Sequence, residues 1–294
     1  MRHLHEKSAA PRSDKEIPSG PTRSRSLNRS RFRVQTLIQP PPALLAALYL
    51  EAVLPVLPHL ATHDGPLAAA LAGPDLAVSL LASGGLSTRL ALTGGAATVT
   101  HLPRPGDLRL WFPTAAQVVR AFDGQKRPAL ALPVGGFFKL LRARRLVAAG
   151  ARLETLLNTR SGPHLALHAW GNLLVGIAAG AVWLRRHPDG PELHRRIGGG
   201  IGVLNCPAFP APIWFDAATL TWGVGPPPGP VKVAITFARL EVVMAELDQT
   251  LDAPAALGLG ELRIEGYLPL AEQLGIVMLQ AGKLLKPAPS SFHS

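Results

Sequence analysis

Two pairs of histidines, His59 with His63 and His164 with His168, stand four residues apart, the spacing that puts two imidazoles on one helical face where they could ligate a metal ion. Neither pair carries the glutamate of a zincin motif, and a tetrahedral site needs further ligands that the neighbouring sequence does not supply. Cys206, the single cysteine, stands beside Pro207 without a nearby charge and reads as a small apolar filler rather than a nucleophile. The glycine string Gly198-Gly199-Gly200-Ile201-Gly202 departs from GxGxxG and reads as a turn into a strand from Ile201 to Leu204. Trp222 opens a Gly/Pro-rich run that reads as a stiff loop leading to Val231. Carboxylates are sparse, and Glu241, Glu246, Asp248 and Asp252 fall at helix-face and turn positions where solvation explains them. No nucleophile elbow or Ser-His-Asp order is present. The residue types therefore point away from bond-making chemistry.

The elements around these residues carry more. Val233, Ile235 and Phe237 alternate with Ala234 and Thr236, the period of a strand that buries one face. Leu240, Val243, Met244 and Leu247 then recur at helical spacing. Leu251-Asp252-Ala253-Pro254 supplies a capping carboxylate and a fixed φ, predicting a short helix that Gly260 ends. Leu262 and Ile264 alternate as a second strand, Gly266 breaks it, and Leu268, Leu270, Ala271, Leu274, Val277 and Met278 form the apolar stripe of a last helix.

The run Leu251 to Met278, LDAPAALGLGELRIEGYLPLAEQLGIVM, resembles the C-terminal half of the sterol carrier protein 2 sterol-transfer domain family. The resemblance rests on Asp252, Pro254, Ala256, Gly260, the strand at Leu262 and Ile264, Gly266, and the helix with Leu270, Ala271 and Leu274. One departure is visible: family members often have a glycine before the Asp-Pro turn, where this chain reads Asp248-Gln249-Thr250.

A fainter copy lies upstream. A constant shift of 125 residues places Phe112 on Phe237, Val118 on Val243, Asp123 on Asp248 and Gly135 on Gly260, with Ala131 and Leu132 on Ala256 and Leu257. Apolar character agrees at Leu108, Leu110, Val119, Phe122, Val134 and Phe137, the pattern that divergent duplication leaves. On this alignment Leu141 stands opposite Gly266, so the first copy lacks the second glycine and reads as degenerate.

The chain has 294 residues and a formal charge of +11, but the charge is uneven. Residues 1–36 hold nine Lys/Arg and three Asp/Glu, a net of +6, which leaves +5 on the remaining 258. That Ser-, Arg- and Pro-rich tail cannot bury enough surface to fold, and it could touch anionic lipid or RNA only electrostatically. Gln39-Pro40-Pro41-Pro42 interrupts any signal-peptide pattern. Leu165 to Leu184 is twenty residues without a charge and could span a bilayer by length, with Gly176 and Gly180 as a small-xxx-small pair. His168, Asn172 and its glycines favour a buried helix instead. The corresponding first-copy segment, Ala43 to Leu60, contains Glu51, Pro55 and Pro58, which argues against a span there.

The expected architecture is α+β: two sterol-carrier-like domains in tandem, each a mostly antiparallel sheet covered by helices. The boundaries fall at 1–42 for a basic tail, 43–160 for the degenerate copy, 161–286 for the lipid-binding copy and 287–294 for a terminal tail. The resemblance implies non-enzymatic binding, with transfer or presentation, of a lipid or other long apolar ligand in a hydrophobic tunnel. Its lining would include Phe237, Met244, Leu247, Leu262, Ile264, Leu274 and Met278, with Trp214 and Phe215 beside them. The rivals are an accessory scaffold presenting an isoprenoid or quinone intermediate to biosynthetic enzymes, and an enzyme acting on an apolar substrate. No cofactor or metal is expected. The anticipated partners are an apolar small molecule and, transiently, a membrane surface, with no specific nucleic acid. The expected location is cytoplasmic, peripheral to membrane.

Overall fold

In the computed structural model the described residues are 41–122 and 129–285. The tails expected at 1–42 and 287–294 thus lie almost wholly outside them, as does Asp123.

The first half opens with an apolar helical stretch, α1 (Pro42–Leu48) and α2 (Leu54–Ala61), joined by a π-helical turn at Tyr49–Val53. Pro55 and Pro58 remove two backbone donors just beyond that widened turn. The Leu50 carbonyl there accepts a buried bond from the Thr88 hydroxyl at 3.0 Å. Helix α3 (Gly65–Leu71) follows, its first turn capped by Asp64, whose carboxylate accepts from the Leu67 N–H at 2.7 Å. Strands β1 (Leu76–Ala82), β2 (Leu86–Thr93), β3 (Ala96–Thr100) and β4 (Leu108–Phe112) lead to α4 (Ala115–Phe122), β5 (Leu132–Gly135) and the long α5 (Leu140–Asn158).

The second half runs α6 (Leu165–Arg186), α7 (Gly190–Ile197), β6 (Ile201–Asn205), β7 (Ile213–Asp216), β8 (Thr221–Val224), β9 (Val231–Phe237), α8 (Leu240–Leu247), α9 (Ala253–Gly258), β10 (Leu262–Gly266) and α10 (Leu268–Leu285), a similar series in which α9 has no counterpart among the described residues of the first half. Trp222 therefore belongs to strand β8, not to a loop. The alternating run 233–237 sits inside β9, and the helical spacing from Leu240 to Leu247 matches α8 end to end.

The two sheets have one topology. The first is ordered β3-β2-β1-β4-β5 and the second β8-β7-β6-β9-β10. In each, the first and fourth strands pair in parallel and the other three pairings are antiparallel. The 125-residue shift carries β4 into β9 and α4 onto α8, then fails, because β5 begins 130 residues before β10. Gly135 is a strand residue while Gly260 lies in the turn before β10, so those two are not equivalent. The partner of Gly266 is Gly136. Both have positive φ, 69° and 100°. A Cβ on Gly136 would lie 2.8 Å from the Asp107 carbonyl oxygen, and one on Gly266 would overlap the carbonyl of Lys232, which is 125 residues beyond Asp107. Gly136 and Gly266 thus hold the same place at the ends of β5 and β10, at an offset of 130 residues that the ungapped shift of 125 does not reach.

One apolar cluster runs from Leu44 to Ala281 through both halves, with α6 at its centre. Apolar on nearly every side, α6 buries Trp170, Leu173, Leu174, Ile177 and Leu184 almost completely. Its glycines are points of close approach: Gly171 faces Leu60 and Leu157, Gly176 faces Met278, and Gly180 faces Val277. The stretches 42–61 and 162–186 are both long and apolar enough to cross a membrane. The first is as apolar as the second, despite Glu51 and its prolines, and both are largely buried against protein.

Candidate functional site

In β9, Val233, Ile235 and Phe237 point to one face because side chains alternate along a strand. The register continues that face across the sheet. Leu262 sits opposite Phe237 and Ile264 opposite Ile235 on one side, with Gly202 opposite Val233 and Leu204 opposite Ile235 on the other. Beyond them Phe215 meets Gly202 and Ile213 meets Leu204. Helices α6 and α10 cover this face. Leu274 of α10 comes close enough to β6 that a Cβ on Gly202 would lie 2.7 Å from its methyl carbon, so Gly202 is the space into which the helix settles.

Eight of the nine expected lining residues belong to this layer or pack against its cluster. Phe237, Phe215, Leu262 and Leu274 are buried, while Ile264, Met244, Leu247 and Met278 are partly buried against it. Trp214 is separated from them. One residue before Phe215, it points to the opposite face of the sheet and lies over Gly223, where an added Cβ would be 2.5 Å from its ring. Sequence reasoning passed over Gly202, Ile213, Leu204 and Val277 as lining residues, although the alternation of β7 and β6 and the helical spacing of α10 carried the signal for the last three.

The layer is hydrocarbon. The buried polar side chains among the described residues, Asp64, Ser79, Thr88, Asp107 and His168, lie elsewhere and have partners. Asp64 pairs with Arg152 at 2.7 Å, and that guanidinium holds its carboxyl below the usual carboxylate range. Asp107 is desolvated by burial, which works the other way, but bonds from Ser79, the Arg104 backbone and Arg89 outweigh it and keep the carboxyl low. His168 lies 3.1 Å from the Leu156 carbonyl, and burial pushes its pKa down.

The histidine pairs do not converge. His164 lies in the 3₁₀ turn before α6, near Asp64 and Arg152, whereas His168 is inside the helix and buried. His59 packs near Trp222, and His63 sits edge-on to Trp170. Among the described residues no group of three or more His, Cys, Asp or Glu is placed to hold a metal ion. Cys206 is buried in the apolar cluster. Asp252 caps α9 through the Ala255 N–H at 3.1 Å, and Asp248 pairs with Arg160. Two open hollows, of about 260 and 250 Å3, are lined by Arg89, Asp107 and Lys139 in one case and by Glu51, His101 and Arg186 in the other; neither touches the nine residues.

The solved structures that this chain resembles are sterol carrier protein 2 domains. A protein described as UbiJ-SCP2, a ubiquinone synthesis protein, matches at 18% identity over 36% of this chain and 85% of that one, with a TM-score of 0.28. Sterol Carrier Protein 2 Like 2 from Aedes aegypti matches at 24% identity over 36% of this chain and 95% of its own, with a TM-score of 0.28. The sterol carrier protein domain 2 of Helicoverpa armigera matches at 16% identity over 40% and 93%, with a TM-score of 0.30. Each match covers roughly a third of the chain. No protein-family model matches the chain, and no characterised protein matches it in sequence.

Proposed function

We propose that the protein binds a lipid or another long apolar molecule, without enzymatic chemistry, in the layer between its second sheet and α10. The observation that carries this reading is the composition of that layer. Phe237, Phe215, Leu262, Ile264 and Leu274 meet there with no titratable group among them, so the only large free energy it can offer a ligand is removal of apolar surface from water. At about 25 cal/mol per Å2, hiding a few hundred Å2 yields several kcal/mol before ordering costs. The layer is closely packed, so entry requires α10 to move. That helix is the last described element, and it leaves Leu268, Ile276 and Leu279 substantially exposed.

The same reading takes the two halves as a tandem of sterol-carrier-like units. It is supported by the identical strand order, by the 125-residue relation of α4 to α8, and by the paired glycines Gly136 and Gly266. The ligand layer is assigned to the second half because the sequence resemblance lies there.

Native mass spectrometry and organic extraction of the full chain test the proposal, together with uptake of a fluorescent fatty acyl probe. The expected result is one apolar molecule per chain, or saturable probe binding that Leu274→Trp and Met278→Trp reduce by filling the layer. Protein that is free of extractable lipid and takes up no probe would exclude an apolar-ligand site.

A further inference from the structure

We propose that the surface running from Val134 to Val147 docks this protein on an anionic phospholipid bilayer. It carries a cluster of apolar side chains in water: Phe138 is 99% exposed, Leu141 and Val147 are each 75%, and Val134 is 54%. Single exposed apolar residues are ordinary, but four within fourteen positions, with a wholly exposed phenylalanine among them, form a patch.

The second half is an internal control. Counting from the paired glycines Gly136 and Gly266, Leu141 corresponds to Ala271 and Val147 to Val277, which are 6% and 1% exposed. At these two positions α10 turns inward onto the core while the first turns of α5 face water; α5 buries Ala149, Leu153 and Leu156 only further along, and Leu268, the counterpart of Phe138, is 48% exposed. The charge also inverts. Residues 129–153 contain five basic residues, Lys139, Arg142, Arg144, Arg145 and Arg152, and no acidic one. The corresponding residues 259–283 contain three acidic residues, Glu261, Glu265 and Glu272, and two basic. Arg145 is turned to the Ala72 and Pro74 carbonyls, Arg152 to Asp64 and Lys139 to the Gly106 carbonyl, which leaves Arg142 and Arg144 exposed beside Leu141.

An anionic bilayer is the partner whose chemistry fits both features. Its headgroups complement the guanidinium groups of Arg142 and Arg144, which have no acidic partner among the described residues, and its interface accepts rings and aliphatic side chains to a shallow depth. Arg144 lies between Leu141 and Val147 on the exposed strip of α5, so charge and hydrocarbon reach the same plane. The inference concerns where the protein sits and not what it carries, so vesicle binding and ligand content can fail separately.

The test is co-sedimentation of the full chain with phosphatidylcholine vesicles, with and without about 30 mol% phosphatidylglycerol, in low and high salt. The basic N-terminal tail is present in every sample, so the comparison is between surface variants. The expected result is salt-sensitive preference for the anionic vesicles. Binding should fall roughly tenfold in Phe138→Asp/Leu141→Asp and again in Arg142→Glu/Arg144→Glu, with the thermal midpoint unchanged because these side chains are exposed. A polarity-sensitive dye on Phe138→Cys, selective because Cys206 is buried, should shift to the blue with anionic vesicles only. Three results would overturn the proposal: no preference for anionic vesicles, less than about threefold loss in both variants, or a dimer of the full chain that the Phe138→Asp/Leu141→Asp variant abolishes while vesicle binding persists.

Discussion

Gln249 has a φ of 59°, in the left-handed region where a side chain is strained. It ends α8, with the Thr250 N–H returning to the Ala245 carbonyl at 2.9 Å, in the place where the resembled family often has glycine. Gln249→Gly should therefore stabilise the protein by about 0.5–1 kcal/mol, the relief of strain exceeding the entropy glycine adds to the unfolded chain. Urea denaturation would show it as a higher midpoint at unchanged slope. Titratable residues set the acid response. Asp64 and Asp107 have folded-state values below the ordinary one, so the unfolded chain takes up protons first. The stability they contribute is complete above about pH 4 and is lost as pH falls further. His168 is held neutral by burial, so its contribution is complete above about pH 6.5 and declines as the unfolded imidazole protonates. Denaturation midpoints should drop between about pH 7.5 and 5.5, and again below about pH 4. A flat profile across the first interval would contradict the burial of His168 as a neutral ring.

At the level of elements, the contact between α6 and α10 governs the apolar layer. Gly180 makes it close, since a Cβ there would sit 2.8 Å from a methyl carbon of Val277. Gly180→Leu should force α10 away and cost about 1–3 kcal/mol, the usual penalty for overpacking a filled core. The same substitution should expose the layer and increase binding of a hydrophobic dye. A loss of stability without more dye binding would show that the helices repack rather than part. The small-xxx-small pair at Gly176 and Gly180 was legible in sequence, where it suggested a membrane motif; its use in a contact inside the protein depends on which helix arrives opposite. The alternating strands and the Asp252 cap were legible as well, because each is a local pattern.

For the whole molecule, one apolar cluster and a shared central helix tie the halves together. We expect a single unfolding transition, with calorimetric and van't Hoff enthalpies equal, and Trp170→Ala lowering the whole transition rather than splitting it. Two resolved transitions would mean that each half holds its own core. The sequence alone determined β9, α8, α9, β10 and α10, the glycines Gly260 and Gly266, and the relation of β4 and α4 to β9 and α8, since periodicity and turn chemistry act over a few residues; it missed α7 and β7 and read β8 as loop. It could not match Gly136 with Gly266, because their likeness lies in which strand each turn approaches and not in a constant spacing. Only the tertiary structure put Trp214 on the far face of its sheet from Phe215's partners, buried the apolar stripe of α10 while leaving Leu141 and Val147 of α5 in water, and turned Arg152 inward to Asp64. Those outcomes depend on what packs against each face, and neighbours distant in the chain decide that.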